Sequence, residues 1–387
     1  MTGVQTCALP ICSADQLSGE LDFIGGSLGA SASFDFTGAS AEFVKKDINK
    51  GLDLFSDVLL NPQFPQDEVT KLLKQRIDGI KAAKDQARAV IGSYFAAYLY
   101  GSHPYGRPPA GDEKSLAGIT REDVQKFYQT YYSPSNTSLA VVGDFSSPEM
   151  ERMLTEKFGA WSGSPAPSVT IPEAIPFSGK KLLLVDKPDS TQTFFVIGNV
   201  GINRTNPDRV YINVINTLFG GRFTSMLNSE LRIKSGLSYG ANSSFSERKA
   251  RGPFVISTYT RNETTEKAID LALDVMKRLH EKGITEEELK SAKAYIKGQF
   301  PPTIETNDQL ARTLVQFDLY GLDENEINGF YAKIDSMTMA DAQRVIKQYF
   351  PLDDAVFVLI GKAEEIKKIA QKYAQKVDSK SINQPGF

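Results

Sequence analysis

Reactive residue types are scarce in this chain. It holds two cysteines, Cys7 and Cys12, and two histidines, His103 and His280, in 387 residues. A cysteine pair separated by four residues could be a metal hook or a redox couple. It is too small for a disulfide framework or a complete zinc site. Two histidines far apart leave little room for imidazole-based metal or acid–base chemistry. His103, in "GSHPYGRP", reads as a turn residue, and His280, on a charged helix end, reads as solvated. The acidic run "TEEEL" at 285–289 reads as a helix N-terminus favoured by the helix dipole, not as a metal site.

The first twelve residues, "MTGVQTCALPIC", do not read as a targeting segment. They contain no Lys or Arg, and Gly3, Gln5, Thr6 and Pro10 interrupt any apolar stretch. Apolar residues make up 41% of the chain, charged residues 24%, and the net charge is −3, which is the balance of a globular protein without a basic surface for nucleic acid. No apolar run approaches the roughly 18 residues of a membrane span.

The elements that would position any chemistry occur twice. "TREDVQKFYQTYYSPSNTSLAVVGDF" from Thr120 and "TMADAQRVIKQYFPLDDAVFVLIGKA" from Thr338 align at an offset of 218, each reading as a helix followed by a strand. "FAAYLYG" (95–101) faces "VQFDLYG" (315–321), and "SLGASASF" (27–34) faces "LSYGANSSF" (237–245). In the second copy, "KLLLVDKP" and "TQTFFVIGNV" read as strands, "DRVYINVINTLFGG" as a helix ended by glycines, and "YGANSSFSERKARGPFVISTYT" as a strand pair. A helix ending at Gly283 and another opening with the capping box Thr285–Glu288 follow. Hairpins and clustered helices predict an α+β fold, with an antiparallel sheet packed by helices in each copy. The four-proline segment 162–179 reads as a linker between a first domain, 13–161, and a second, 180–376, with 377–387 as a tail.

The first copy is short. By the offset of 211 between Phe34 and Phe245, it has no counterpart of residues 180–223, which carry two strands and a helix. Residues 1–11 match the translation of a common short-read sequencing adapter. The expectation is that they are foreign, that Cys12 is a junction codon, and that native sequence begins at Ser13 in a truncated first domain.

The duplicated domain, with "LDFIGGSLGASASFDFTGASAEFV", "KGLDLFSDVLLNPQFPQDEV", "HPYGRP" and "LRIKSGLSYGANSSF", resembles peptidase family M16 (insulinase, pitrilysin, mitochondrial processing peptidase) from Ser13 to about Lys376. The resemblance implies two LuxS/M16-type domains and, in active members, zinc held by an H-x-x-E-H helix and a later Glu. No H-x-x-E-H is present, and the helix that would carry it falls in the stretch the first copy lacks. The later helix, "EVTKLLKQRIDGIKAAKD", places Gly79 at the carboxylate position, Asp78 beside it and Leu72 at the supporting acidic position. Glycine cannot bind metal, and Asp78 points about 100° away on a helix.

The resemblance also implies that the second domain contributes an Arg and a Tyr seven residues apart. Arg232 and Tyr239 fit that spacing, with carbonyl or carboxylate binding and hydrogen-bond donation as their roles. On the residues alone, Arg232 reads as a solvated helix residue and Tyr239 as a half-buried strand residue; the resemblance is what favours the binding roles. Gly220 and Gly221 resemble the family's glycine-rich segment, where they would let a partner chain or peptide approach closely; a simple helix C-cap is the other reading.

The expected function is a non-catalytic M16 subunit, itself without cofactor, pairing with a zinc-bearing catalytic M16 subunit to enclose peptides. A zinc endopeptidase whose H-x-x-E-H segment is lost, or a structural subunit without peptide contact, are the alternatives. For a bacterial member the resemblance favours the periplasm, and no partnership with nucleic acid or membrane span is expected.

Overall fold

A computed structural model describes residues 14–387. Cys7, Cys12 and the expected foreign segment lie outside the described residues. The chain divides into two compact units that are each discontinuous in sequence. Among the described residues, one holds 14–80, 109–170 and 304–319, and the other 81–108, 171–303 and 320–387.

The second unit is built on a six-stranded sheet of order β5-β6-β4-β7-β3-β8. Its strands are β3 (Lys180–Asp186), β4 (Gln192–Val200), β5 (Ala241–Glu247), β6 (Arg251–Arg261), β7 (Ala355–Gly361) and β8 (Lys376–Ser381). The β5–β6, β6–β4 and β4–β7 pairings are antiparallel. β3 runs parallel to both β7 and β8, so the sheet is mixed rather than wholly antiparallel. β7 is buried along its whole length because it is central in the sheet and covered on both faces. The residues after Lys376 do not trail away as a tail: β8 adds a sheet edge, with Lys181 opposite Lys376 and Asp186 opposite Ser381.

The helix Thr265–Lys282 buries Ala268, Ala272, Val275, Met276 and Leu279 as one stripe and stops at Gly283, whose φ of +64° suits only glycine. The helix Glu286–Gln299 opens with the expected capping box, Thr285 and Glu288 each satisfying the other's backbone N–H. A second polar anchor lies at Asp208, which accepts two 2.6 Å hydrogen bonds from the Arg344 guanidinium and a third from the Tyr349 hydroxyl. These donors hold its carboxyl below the ordinary carboxylate range, Arg344 contributing most.

The other face of this sheet is packed by a helix from the first copy. The helix Ala87–Tyr100 lies against β4 and β7 and buries Tyr94 and Phe95. Tyr98 donates to the Leu182 carbonyl and to Asp378, and burial pushes its hydroxyl pKa up. Just before this helix, buried Lys84 donates to the carbonyls of Gln384 (2.8 Å) and Gly386 (3.2 Å), while the Tyr94 and Phe387 rings meet edge to face. The equivalent helix of the second copy, Asn307–Tyr320, has residues through Leu319 in the other unit. Both helices end at a positive-φ glycine, Gly101 and Gly321, as their shared "LYG" suggests.

The first unit has a smaller framework. Strands β1 (Ser27–Ala32) and β2 (Thr37–Glu42) form an antiparallel hairpin. The helices Ile48–Leu60, Gln66–Ala83, Arg121–Tyr131 and Ser147–Phe158 accompany it. Among the described residues its core includes one cluster around Leu17, Leu21, Leu54 and Val58 and another around Leu52, Met150 and Met153. The repeat is visible atom for atom at one place. Thr120 and Asp123 build the same capping box as Thr338 and Asp341. The repeat then diverges. Leu139–Gly143, expected as a strand, has no strand geometry, and Leu139 stays about half exposed. Its counterpart β7 is held between β3 and β4, and the described residues of the first copy contain no equivalent of either. A strand without neighbours leaves its backbone groups to water and gains no ladder hydrogen bonds.

Candidate functional site

The helix Arg209–Asn216 of the second unit runs directly into a π-helical turn, Thr217–Gly221. After a short loop, Ser225 caps the next helix by accepting the Asn228 N–H, and that helix widens into a second π-helical stretch, Ser229–Lys234. Such turns are uncommon and recur at functional sites. Leu227 and Leu231 are fully buried and fix this second helix, leaving Arg232, Ile233 and Lys234 exposed. Gly236, at φ +62°, ends it. Glu230 accepts from Lys234 (2.9 Å) and Arg278 (3.0 Å), which hold its carboxyl below the ordinary range, the Lys234 hydrogen bond first.

The Arg232 guanidinium has no carboxylate partner among the described residues, and Arg222 in the preceding loop is instead held by the Ser291 hydroxyl at 3.0 Å. Arg232 lies over the Phe223 ring, 4.8 Å from the centroid. Its charge therefore remains available to an acceptor from outside. Tyr239 is 80% exposed in the segment before β5, not half-buried in a strand. Its neighbour Ser238 is held by Thr258, whose hydroxyl donates to Ser238 Oγ at 2.9 Å.

One buried residue joins these pieces. Asn228 Nδ2 donates to the Phe223 carbonyl (2.6 Å), and Asn228 Oδ1 accepts from Ala241 N–H (3.3 Å). The loop with Phe223, the helix with Arg232 and the segment with Tyr239 thus converge on a single amide. Neither Asn228 nor Phe223 is singled out by the sequence. The available signal is an Asn amid the apolar spacing of "MLNSEL" and a large aromatic directly after paired glycines.

The paired glycines serve the fold of their own unit. A Cβ on Gly220 would lie 2.4 Å from Ser243 Oγ and 2.5 Å from Ser243 N, and one on Gly221 would lie 3.0 Å from the Asn216 carbonyl oxygen. The close approach made by Gly220 is to β5. Asn216 and Ser243 lock that approach: Asn216 Nδ2 donates to the Ser243 carbonyl (3.0 Å) and Ser243 Oγ donates to Asn216 Oδ1 (2.6 Å).

The helix Gln66–Ala83 does not fit zinc. Gly79 is exposed, with nothing within 4 Å of where a Cβ would stand, so packing does not demand glycine there. Asp78 is exposed on the adjacent face and Leu72 is half-buried. Among the described residues no group of three or more His, Cys, Asp or Glu is placed to hold a metal ion.

His103 caps a turn: its Nδ1 accepts the Tyr105 N–H (3.0 Å), leaving Nε2 to donate to the Pro172 carbonyl (2.9 Å). His280 is not simply solvated, since its Nε2 donates to the Phe350 carbonyl at 2.7 Å. An open cleft of about 500 Å³ beside Lys290, Lys293 and Lys297 offers less: Lys293 is committed to the Asp335 and Met337 carbonyls and Lys297 to the Asp335 carboxylate. No helix among the described residues is long and apolar enough to cross a membrane.

Comparisons with known proteins agree with this architecture. Residues 12–113 match the family described as insulinase (peptidase family M16), and residues 118–296 match the peptidase M16 inactive domain. The chain is 27% identical over 325 residues to the uncharacterized zinc protease YmxG of Bacillus subtilis, covering 82% of this chain and 78% of that protein. It is 24% identical over 342 residues to an uncharacterized zinc protease of Streptomyces coelicolor, covering 87% and 74%. The peptidase M16 inactive domain solved from Pseudomonas fluorescens superposes with a TM-score of 0.87 at 26% identity, over 93% of this chain and 86% of that one. A protease from Helicobacter pylori shares the fold, with a TM-score of 0.80 at 20% identity, over 92% and 87%.

Proposed function

The chain belongs to peptidase family M16, and on that premise we propose that it is a non-catalytic subunit that binds peptides for a zinc-bearing M16 partner. The observation that carries this reading is Arg232: an exposed guanidinium with no carboxylate partner among the described residues, on a helix fixed by buried leucines. Arg232 holds a peptide carbonyl or carboxylate through charge-assisted hydrogen bonds. The exposed Tyr239 hydroxyl donates a further hydrogen bond to the same peptide or to an oxyanion forming in the partner's zinc site. Gly79 and the exposed Asp78 support the absence of catalysis by this chain itself, as does the match to an inactive-type domain. The curated relatives carry the name zinc protease. A catalytic reading by that analogy lacks, in this chain, both an H-x-x-E-H segment and the later carboxylate.

The test is peptide binding followed by fluorescence anisotropy, with a fluorescein-labelled tryptic digest of β-casein as probe. Wild-type chain binds, and Arg232→Ala weakens binding about 10- to 100-fold, the loss of a charge-assisted hydrogen bond or a bidentate pair. Tyr239→Phe weakens it about 2- to 10-fold. Wild-type chain that binds no peptide, or binding that ignores Arg232, overturns the proposal.

A further inference from the structure

Phe223 is 61% exposed although it is a large aromatic side chain, and its neighbours in the fold explain its place but not its exposure. Its carbonyl is held by the buried amide of Asn228 at 2.6 Å, and its ring lies under the Arg232 guanidinium at 4.8 Å. Ile233, next to Arg232, is 58% exposed. A free cation resting on an aromatic face beside uncovered apolar surface suits a ligand that offers both an oxygen acceptor and an apolar group. A polypeptide segment offers both, one residue apart. A guanidinium over a ring loses little of its hydrogen-bonding edge, because the ring occupies the flat face and leaves the N–H fork free.

We propose that Phe223 is a specificity-determining residue: it holds Arg232 in its binding orientation and forms an apolar subsite beside it, so the chain prefers peptide segments carrying a bulky apolar side chain next to the carbonyl that Arg232 holds. This rests on the peptide-binding reading of Arg232. Phe223 plays two parts that different substitutions separate. Phe223→Leu keeps apolar volume and removes the cation–π contact. Phe223→Ala removes both. Phe223→Tyr keeps both.

The experiment measures anisotropy with two end-blocked, fluorescein-labelled peptides of about ten residues, identical except for Phe-Leu or Ser-Ser at the centre. Wild-type chain is expected to bind the Phe-Leu peptide about tenfold more tightly, the scale of partly burying such side chains. Phe223→Ala abolishes that preference: it weakens the Ser-Ser peptide about 2- to 5-fold, the scale of an exposed cation–π contact, and the Phe-Leu peptide by about a further tenfold. Phe223→Leu keeps the preference but shows the same 2- to 5-fold weakening, and Phe223→Tyr behaves as wild type. Far-UV circular dichroism confirms that each variant is folded, and the Leu and Tyr variants decide the matter should Phe223→Ala not fold. Equal binding of the two peptides by wild type overturns the proposal while leaving peptide binding itself intact. So does a preference unchanged in Phe223→Ala, or Phe223→Leu binding as tightly as wild type. Wild type that binds neither peptide nor the casein digest removes the underlying reading as well.

Discussion

Two glycines of the candidate sites, Gly220 and Gly79, should respond oppositely to the same substitution by alanine. At Gly220 a Cβ would stand 2.5 Å from the backbone nitrogen of Ser243, and Ser243 cannot withdraw freely because it is paired with Ile256 across β5 and β6. Relief requires moving β5 or the π-helical turn. Either movement stretches the two hydrogen bonds between Asn216 and Ser243. Overpacking of this kind costs about 1–3 kcal/mol, and loosening the hydrogen-bond pair adds about 1 kcal/mol. The expected loss for Gly220→Ala is about 2–4 kcal/mol, which lowers the melting temperature by about 4–15 °C for a unit of this size. At Gly79 nothing stands within 4 Å of the added Cβ, and the residue lies inside the helix Gln66–Ala83. Gly79→Ala should stabilise by about 0.5–1 kcal/mol, through restricted unfolded-state freedom and better helix propensity. Differential scanning calorimetry of the full chain reads both, because it resolves transitions of separate units. A Gly220→Ala variant that melts like wild type would refute the argument that this glycine exists for the approach to β5. A Gly79→Ala variant that loses stability would show that the position answers to something other than helix propensity.

Three further outcomes follow from the same geometry. Lys84→Met leaves the Gln384 and Gly386 carbonyls without their donor and should cost about 1–3 kcal/mol, read as a lower urea midpoint; an unchanged midpoint contradicts that role. Asp208 and Glu230 have folded-state pKa values below their unfolded ones, so their contribution is full above the unfolded values near pH 4 and is lost as pH falls through the folded values. Asp208→Asn should therefore flatten the acid limb of a stability–pH curve below about pH 4, and a limb as steep as wild type contradicts the assignment. His103→Ala removes both the Tyr105 cap and the Pro172 hydrogen bond, and should speed proteinase K cleavage of the 162–179 segment; unchanged cleavage shows that His103 does not restrain it.

What the sequence discloses is mostly local. The capping box at Thr285 and the stop at Gly283 stand where the residue types place them, because those signals act within a single turn. The failures are all long-range. Leu139–Gly143 has the composition of a strand, but a strand forms only against neighbours. The helix Ala87–Tyr100 is legible as a helix, yet nothing in its own residues says that it lies on the sheet of the second copy. Residues 377–381, with two charges among five, read as part of a tail because edge strands tolerate polar sequences. In the site, the spacing of Arg232 and Tyr239 is visible through family resemblance. The tie between their segments is not, since Asn228 contacts residues 5 and 13 positions away in opposite directions. The partner of Gly220, Ser243, is likewise apparent only in three dimensions.

The central claim is that this chain contributes peptide binding, through Arg232, to catalysis by a partner. Its most direct test is hydrolysis of an internally quenched fluorescent peptide by a catalytic M16 subunit carrying H-x-x-E-H from the same genome, assayed with and without this chain. The account predicts no hydrolysis by this chain alone with added zinc, hydrolysis by the pair, and at least a tenfold loss when the pair contains Arg232→Ala. Hydrolysis by this chain alone, or a pair equally active with Arg232→Ala, would contradict it.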